Sequence, residues 1–542
     1  MNNRNYNIYF STHTVSGIII CALLYVIFFA GSFSFFKDEI SAWQSGTSNV
    51  STEQPTFPYR TMLDSLDTEY NLAGRDVFFY FYPNSPKTYV SFTPSQDTLH
   101  NQKAKERKYF TYNSITKKET SYKEAYDVGE FLYRLHFLAQ LNQVPIRIGY
   151  PFGYLVAGLV AFLFLFALIT GLLLHWDKLV SNFFVFRPWS KWKTVWTDIH
   201  TALGVIGFPF QFVFAFTGVI LIVNTVFLTP FSKLLYQGKM DKIYEDLEYT
   251  TTIESPFQNK PLHTIPDLQT WVQRAQQQWP DAFLKRVTIK NYGDLSMRLA
   301  VEFEAPTHQR FAGTGIIIYD LSNGKIIQQR SPYDSPTYIG AIKSFIYHLH
   351  FGDYGGYFVK IINFIMGIMG CVVIVSGILI WLVARDKKNV PAHKRKFNAW
   401  LAQIFIAICL SMFPVTALTF IAVKITGNSG QSFIYPVYFY SWLAFTLYYI
   451  LRRNLNRTNR ETLLVGALLS LAVPIVNGVF GKVWLWQSYA IGATDIFFID
   501  LFWLFISVIT FMAYLKVVKR HHRPVEKQLL PVQQHNEIST LV

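Results

Sequence analysis

Five histidines stand at or near the ends of long apolar segments of this 542-residue chain. A neutral imidazole can ligate haem iron, zinc or copper through one ring nitrogen. A lone histidine in an apolar helix can instead be structural and hydrogen-bond to a neighbouring helix. The five candidate residues are His13, His136, His175, His200 and His350.

An internal repeat puts four of these histidines in register. His13 and His200 each open an apolar segment that has one glycine four residues later and another eighteen residues later. On a helix with about 100° per residue all three positions share one face, and eighteen residues span about 27 Å. The glycines are Gly17 and Gly31 in the first copy and Gly204 and Gly218 in the second.

The other half of the repeat is a Leu-His-Phe triplet in front of the next apolar segment. It contains His136 in the first copy and His350 in the second, and each following segment closes with Thr-Gly or Ser-Gly. The first copy has eight more residues between the histidine and that glycine. The histidines of this half therefore lie near the membrane surface opposite to that of His13 and His200.

Two histidine pairs at two depths predict two bis-histidine haems stacked across a membrane, with glycines leaving room for the macrocycles. The inner pair is His13 and His200, and the outer pair is His136 and His350. His175 ends the second segment at the inner depth, so it either replaces one inner ligand or supports one by a hydrogen bond. Zinc or copper is the alternative metal, but no carboxylate or thiolate completes such a cluster.

The composition is that of a membrane protein. Hydrophobic residues make up 51% of the chain, yet it carries 49 Lys and Arg and a net charge of +15. Apolar spans joined by basic loops account for both facts, so the charge does not indicate binding to nucleic acid. The three cysteines lie within apolar segments as packing residues, and the absence of a Cys-x-x-Cys-His motif excludes covalently attached haem.

Eight apolar segments are long enough to cross a hydrocarbon core of about 30 Å as helices. The loops after the second, fourth, sixth and eighth are rich in Lys and Arg, so the positive-inside rule makes their side cytoplasmic. Both termini are then cytoplasmic, and the protein lies in the lipid of a bacterial cytoplasmic (inner) membrane. The predicted spans are 13–36, 150–175, 199–228, 357–384, 398–423, 434–451, 462–482 and 495–517.

Two long polar segments, 37–149 and 229–356, face the periplasm in this topology, and each shows helix and strand patterns. The predicted elements are a helix over 266–279 and strands at 108–112, 284–290, 297–304 and 314–319. We therefore predict an all-α transmembrane bundle of eight helices with two small α+β periplasmic domains. The predicted order is a first span in 1–36, a domain at 37–149, two spans in 150–228, a second domain at 229–356, the fourth span at 357–384, a basic loop at 385–397, a four-helix extension at 398–517 and a cytoplasmic tail at 518–542.

The order of these motifs resembles the PepSY-associated transmembrane family. The resemblance covers residues 8–385, through the paired His-Thr-x-x-Gly starts, the Leu-His-Phe triplets and the closing Thr-Gly-Leu-Leu-Leu. Residues 265–330, with Tyr-Asp-Leu-Ser-Asn-Gly-Lys-Ile, resemble a PepSY domain. Some members of the family are inner-membrane ferric-siderophore reductases with two b-type haems between their helices. The resemblance implies haem-ligating roles for His13, His136, His200 and His350, while His175 and the eight-residue insertion depart from the commoner pattern.

These features predict a di-haem transmembrane electron-transfer protein that reduces ferric chelates, such as siderophore iron, on the periplasmic face. The sequence shows no recognisable nicotinamide or flavin domain, so the electron donor is expected to be membrane quinol or a separate protein. The alternative is a non-enzymatic PepSY-type membrane regulator or sensor with structural histidines. A third possibility, an iron permease, is disfavoured because the spans contain few acidic residues. No catalytic residue beyond the haem ligands is assigned.

Overall fold

A computed structural model divides the chain into two compact units. The structure describes residues 2–49, 57–83, 85–97, 103–146, 150–190, 192–249 and 253–522, so the last twenty residues of the predicted tail lie outside the described part. The membrane unit comprises Met1–Ser48, Asp127–Val226 and Lys360–Val542, and the sheet unit comprises Asn49–Tyr126 and Phe227–Val359.

Helices account for the whole membrane unit and for one layer of the sheet unit. Two 3₁₀ turns, at Ala139–Gln143 and Trp176–Lys178, join helices of the membrane unit. The α-helices are α1 (Asn3–Ser34), α2 (Lys37–Ser45), α3 (Tyr59–Tyr70), α4 (Val128–His136), α5 (Phe152–His175), α6 (Leu179–Phe184), α7 (Trp192–Leu235), α8 (Met240–Asp246), α9 (Leu268–Gln278), α10 (Tyr338–Phe351), α11 (Gly356–Arg385), α12 (Ala392–Thr426), α13 (Gln431–Arg452), α14 (Leu455–Phe480), α15 (Leu485–Ala490) and α16 (Thr494–His522).

Seven segments of the described chain are helical, long and apolar enough to cross a membrane: α1, α5 with α6, α7, α11, α12, α14 and α16. This confirms a multi-span membrane protein, but the predicted count of eight spans is not confirmed. The predicted sixth span is helical as α13, and its tyrosines make it too polar to be counted with the seven. These are Tyr435, Tyr438, Tyr440, Tyr448 and Tyr449.

Packing within the membrane unit follows two groups of helices. In the first, α1 packs against α4 and α5; in the second, α12 packs against α13 and α14, and α14 against α16. The short helix α2 contacts α4, α12 and α16, and it buries Ile40, Ala42 and Trp43. Residues 37–48 and 127–146 therefore belong to the membrane unit, although the sequence placed them in the first periplasmic domain. Their apolar faces are covered by membrane helices.

The sheet unit is built around one antiparallel sheet to which both polar segments contribute four strands. The strand order is β4-β3-β2-β1-β5-β6-β7-β8, and β1 pairs with β5 through Val77↔Ile289 and Tyr80↔Arg286. The strands are β1 (Val77–Tyr80), β2 (Lys87–Phe92), β3 (Lys108–Asn113), β4 (Lys118–Ser121), β5 (Phe283–Lys290), β6 (Arg298–Glu304), β7 (Thr314–Asp320) and β8 (Ile326–Arg330).

The two segments thus differ from the prediction of two separate domains. Alternate residues of the central strands, such as Val77 and Phe79 of β1 and Val287 and Ile289 of β5, are fully buried in one core with α3 and α9. Neither half covers this core alone, which is the physical reason that they fold together. The Asp76 carboxylate adds a polar tie across the junction, because it accepts a hydrogen bond from Lys290 Nζ at 2.8 Å.

The shared sheet also constrains the topology. Both segments must lie on the same side of the membrane, so an even number of crossings separates them. Two candidate spans, α5 and α7, lie between β4 and β5 in the chain. The arrangement of these two spans is therefore consistent with the sheet. The predicted helix and strands of the second segment correspond to α9, β5, β6 and β7 within two residues.

Candidate histidine site

The structure brings His13 of α1 and His200 of α7 together inside the membrane unit. Their ring centroids are 6.0 Å apart and the ring planes are inclined by 74°. The two histidines begin the two copies of the sequence repeat, so the inner pair expected from the repeat comes together.

Each ring of this pair is fixed by a hydrogen bond to a third helix. His13 Nδ1 lies 2.9 Å from the Ala167 carbonyl oxygen of α5, and His200 Nδ1 lies 2.9 Å from the Val373 carbonyl oxygen of α11. A carbonyl oxygen only accepts, so Nδ1 carries the proton in both rings. Nε2 of each neutral ring therefore keeps its lone pair, as a metal-ligating histidine requires.

A glycine lies four residues after each acceptor carbonyl and makes room for the ring. A Cβ atom at Gly171 would lie 3.0 Å from His13 Cε1, and one at Gly377 would lie 3.1 Å from His200 Cε1. Both distances are tighter than ordinary carbon contacts, so a larger residue would displace the ring. These are the glycines that close the second and fourth apolar segments in the sequence repeat.

His136 at the end of α4 has the same surroundings at the other end of α1. Its Nδ1 lies 2.8 Å from the Ile27 carbonyl oxygen, and a Cβ atom at Gly31 would overlap the ring. Helix α4 is held in place by ion pairs of Glu130, which meets Lys37 at 2.6 Å and Arg134 at 2.7 Å. Three histidines therefore share one arrangement: an Nδ1–H bonded to a carbonyl, and a glycine one turn further along that helix.

Comparison with known sequences shows the family of the chain. A family described as the PepSY-associated TM region matches residues 10–384, about two thirds of the chain. The chain belongs to the PepSY-associated transmembrane family. It is also similar to the Uncharacterized protein PA4219 of Pseudomonas aeruginosa, with 22% identity over 312 residues, which cover 54% of this chain and 73% of the relative. Helices α12 to α16 lie beyond the matched region.

His175 of this PepSY-associated protein lies within electrostatic range of His13 and His200, and its ring contacts a side chain outside the pair. Its Nδ1 lies 3.3 Å from the side-chain nitrogen of Asn182 in α6. Both residues line a cavity of about 400 Å³ together with Arg187 and Asp198. The Arg187 guanidinium holds the Asp198 carboxylate through Nε at 3.0 Å and Nη2 at 2.9 Å. Of the two roles left open by the sequence, this position favours a supporting one.

The fourth repeat histidine, His350, lies on α10 of the sheet unit, and His136 lies in the membrane unit. Each is described within its own unit, so the predicted outer pair stays a prediction. Two residues before His350, the His348 ring is buried; its Nδ1 lies 2.8 Å from Asp353 Oδ1, and Phe311 lies 5.2 Å from it between ring centroids. His348 is thus bonded to a carboxylate within its own unit.

The spacing of the inner pair would suit two imidazoles that hold one metal. An imidazole nitrogen lies about 2 Å from a metal that it ligates and the ring centre about 1 Å farther, so imidazoles on opposite sides of one metal have centres about 6 Å apart. The observed 6.0 Å agrees with this separation. One turn after each histidine, at Gly17 and Gly204, an added Cβ would meet no atom within 4 Å. Open space therefore lies at both glycines, on the helix face that each shares with its histidine.

A pair of imidazoles suits haem better than zinc or copper. Within the part of the chain that the structure describes, no three His, Cys, Asp or Glu side chains come together as a metal-binding group. Structural and catalytic zinc sites need three or four protein ligands, whereas haem iron has four equatorial nitrogens of its own and needs only axial ligands. The residues present therefore fit a bis-histidine haem.

Sequence reasoning found the histidines and their glycines but missed their hydrogen-bond partners. Ala167, Val373 and Ile27 act through backbone carbonyls, which leave no mark in residue type. Asn182 of α6, the partner of His175, has no counterpart in the repeat. The glycine four residues after each acceptor carbonyl could have located these partners, because the sequence repeat contains that glycine in all three cases.

Proposed function

We propose that this protein carries electrons across the bacterial cytoplasmic membrane through two b-type haems and reduces ferric chelates such as siderophore iron. The observation that carries the proposal is the His13–His200 pair, with centroids 6.0 Å apart and both Nδ1 atoms already bonded to carbonyls. Family membership and the sequence repeat support the same reading.

In this proposal His13 and His200 hold the inner haem, and His136 and His350 hold the outer one by their places in the repeat. A haem with two histidine ligands supplies a one-electron Fe(III)/Fe(II) couple and has no free axial position for oxygen. The protein's own contribution is orientation. The Ala167 and Val373 carbonyls fix the tautomers and ring directions, and the apolar helices exclude water.

The substrate in this proposal is Fe(III) bound by a chelator with hard oxygen ligands. Such ligands hold Fe(II) less well than Fe(III), so reduction releases the iron. The sheet unit is the water-facing part of the chain and would receive the chelate, whereas a membrane quinol or a separate protein would supply the electrons.

The proposed topology has eight spans, both termini in the cytoplasm and the sheet unit in the periplasm. Support comes from α13, which packs along α12 through Trp442 Nε1 donating to the Ile408 carbonyl at 2.9 Å and through Ser411 and Thr446 hydroxyls 3.0 Å apart. A reporter fused after residue 522 should be cytoplasmic with eight spans. A periplasmic reporter would mean that α13 does not cross the membrane.

Absorption spectroscopy of the purified protein tests the central claim. Two haems per chain, with sharp α-bands after dithionite reduction, are expected, and a colourless protein would contradict the proposal. Addition of a ferric siderophore to the reduced protein should return the oxidised spectrum under anaerobic conditions. Haem that stays reduced would indicate a sensor or regulator rather than a reductase.

A further inference from the structure

A second candidate site lies where the family region meets the C-terminal extension. The last turn of α11 and the first turns of α12 enclose a groove of about 630 Å³. This groove begins at Arg385, directly after the region matched to the family, which ends at residue 384. Its lining residues are Arg385, Val390, His393, Lys394, Phe397 and Asn398.

The groove is cationic, and its cations are not neutralised by the chain. The acidic residue of the connecting loop, Asp386, is engaged by Arg395, with 3.7 Å between Oδ1 and Nη1. Across the described residues, neither Arg385 nor Lys394 forms an ion pair within 4.0 Å. The Arg385 guanidinium is instead held 4.8 Å from the centre of the Trp381 ring.

The start of α12 adds to the positive potential. Pro391 caps this 35-residue helix without a side-chain hydrogen bond, and its first turn contains no acidic residue. The unsatisfied N–H groups of a helix start favour an anion nearby. The groove thus combines two fixed positive charges, a histidine and a helix start, which together suit a phosphate group.

The position of the groove selects the kind of phosphate. Both α11 and α12 are candidate spans, so their junction lies at the boundary between membrane and water. Phe397 is 58% exposed and Trp400, on the next turn, is 46% exposed. Aromatic side chains at this depth are typical of the membrane interface, and basic pockets beside membrane helices bind anionic lipid headgroups.

We infer that this groove binds the headgroup of an anionic phospholipid. The phosphate lies between Arg385 and Lys394, and the start of an acyl chain lies along Val390 and Phe397. Bound in this way, the lipid joins α11 of the family region to α12 of the extension. The inference is independent of the haem proposal, because it involves neither the histidine pairs nor electron transfer.

Native mass spectrometry of the full-length protein, after exchange into mixed phosphatidylglycerol, cardiolipin and phosphatidylcholine micelles, tests the inference. The unmodified protein should retain an anionic lipid in preference to phosphatidylcholine. A double variant, Arg385→Gln with Lys394→Gln, should bind it on the order of tenfold or more weakly, since each cation near a membrane surface contributes severalfold. The matched control is Lys387→Gln with Lys388→Gln, which removes the same charge from the same loop outside the groove and should retain the lipid.

Three results would overturn the inference. They are equal retention of phosphatidylcholine, equal loss of lipid in the control pair, and displacement of the lipid by inorganic phosphate at millimolar concentration. The last would assign the groove to a soluble phosphate compound. If the double variant fails to fold, the exposed Lys394→Gln change alone serves, and its unchanged lipid retention would also contradict the inference.

Discussion

Two buried polar sites, one in each half of the membrane unit, have different hydrogen-bond partners. In the family region, the rings of His13, His200 and His136 are each held by an Nδ1 hydrogen bond to a backbone carbonyl oxygen. In the extension, a buried carboxylate is instead satisfied by side-chain donors. Asp500, fully buried on α16, accepts hydrogen bonds from Trp43 Nε1 and from Asn477 Nδ2, both at 2.7 Å.

This difference separates a site prepared for a ligand from a packed junction. In the first half, open space at Gly17 and Gly204 accompanies the Nε2 lone pairs of His13 and His200. In the second half the Lys424 ammonium lies 4.5 Å from the centre of the Trp43 ring and closes the network around Asp500. Since Trp43 belongs to α2, this network also attaches the extension to the rest of the bundle.

The largest expected effect is the loss of one haem when an inner ligand is removed. His200→Ala should lower the content from about two haems per chain to about one, because a bis-histidine haem depends on both axial ligands. A pyridine haemochrome assay with protein quantification measures this. His175→Ala is the matched control and should keep both haems, since the Nδ1 atom of His175 contacts Asn182. If His175→Ala removes the inner haem instead, the ligand assignment is wrong.

A bulky side chain at Gly204 should displace the inner haem without disturbing the protein. An added Cβ there meets no atom within 4 Å, so the first side-chain carbon of Gly204→Leu fits without displacing a neighbour and the rest extends into the space beyond it. Expression and thermal stability should be retained while inner haem is lost. Gly204→Ala is the small-residue control, and removing a mid-helix glycine should stabilise the apoprotein by about 0.5–1 kcal/mol. Full haem content in the leucine variant would show that the space serves another purpose.

The opposite outcome is expected for the network of the extension. Asp500→Ala removes the acceptor of the buried Trp43 Nε1 and the shorter of two hydrogen bonds made by Asn477 Nδ2, which should cost about 2–4 kcal/mol of stability. Thermal unfolding in detergent should show a lower midpoint, with two haems per chain still present in the folded fraction. Glu461→Ala, which removes a partly exposed carboxylate 3.9 Å from Arg452, is the control. Haem loss in the Asp500 variant would mean that the Asp500 network and the histidine site are not independent.

The smallest expected effect is in the sheet unit, which belongs to neither half of the membrane unit. A change there tests whether its stability is independent of the histidine site. Burial raises the pKa of the Asp294 carboxyl. Hydrogen bonds from Ser296, Lys260 and Gln258 lower that pKa by more than burial raises it, so the pKa lies below its ordinary value. The stabilisation by the ionised carboxylate is therefore present above the unfolded pKa of about 3.9 and is lost as the pH falls through the lower folded pKa.

Asp294→Asn should remove this acid dependence and cost about 1 kcal/mol at neutral pH. Thermal unfolding of both proteins between pH 6 and pH 3, monitored by the loss of strand signal in circular dichroism, measures the difference. The haem spectra of the two proteins should be identical. An equal acid-induced loss in the variant would mean that another group carries the pH dependence.

The sequence was most informative where the repeat applied. His13 and His200, with glycines at matching spacings, identified the inner pair because helical periodicity fixes which residues share a face. The strands of the second polar segment were recoverable for the same reason, since alternation marks a sheet with one buried face. The position of His350 relative to His136 stays a prediction from the repeat.

Two features of the fold could not be predicted from the periodicity of the sequence. The pairing of β1 with β5 joins strands that are far apart in the chain, and no local pattern records which distant strand covers an exposed edge. The place of α2 in the membrane unit depends on Trp43 reaching Asp500, a contact between residues 457 positions apart. Periodicity identifies the buried face of a helix or strand, whereas packing determines which other element covers that face.

The pairing of β1 with β5 also means that β1 is synthesised well before its partner strand. Val77 and its partner Ile289 are separated by 212 positions that include the spans α5 and α7. At roughly 5–20 residues per second, the edge of β1 waits about 10–40 s for its partner to be made. An unpaired edge strand is a template for aggregation. A mutation that slows the insertion of α5 or α7 should therefore cause misfolding in a sheet that contains neither helix.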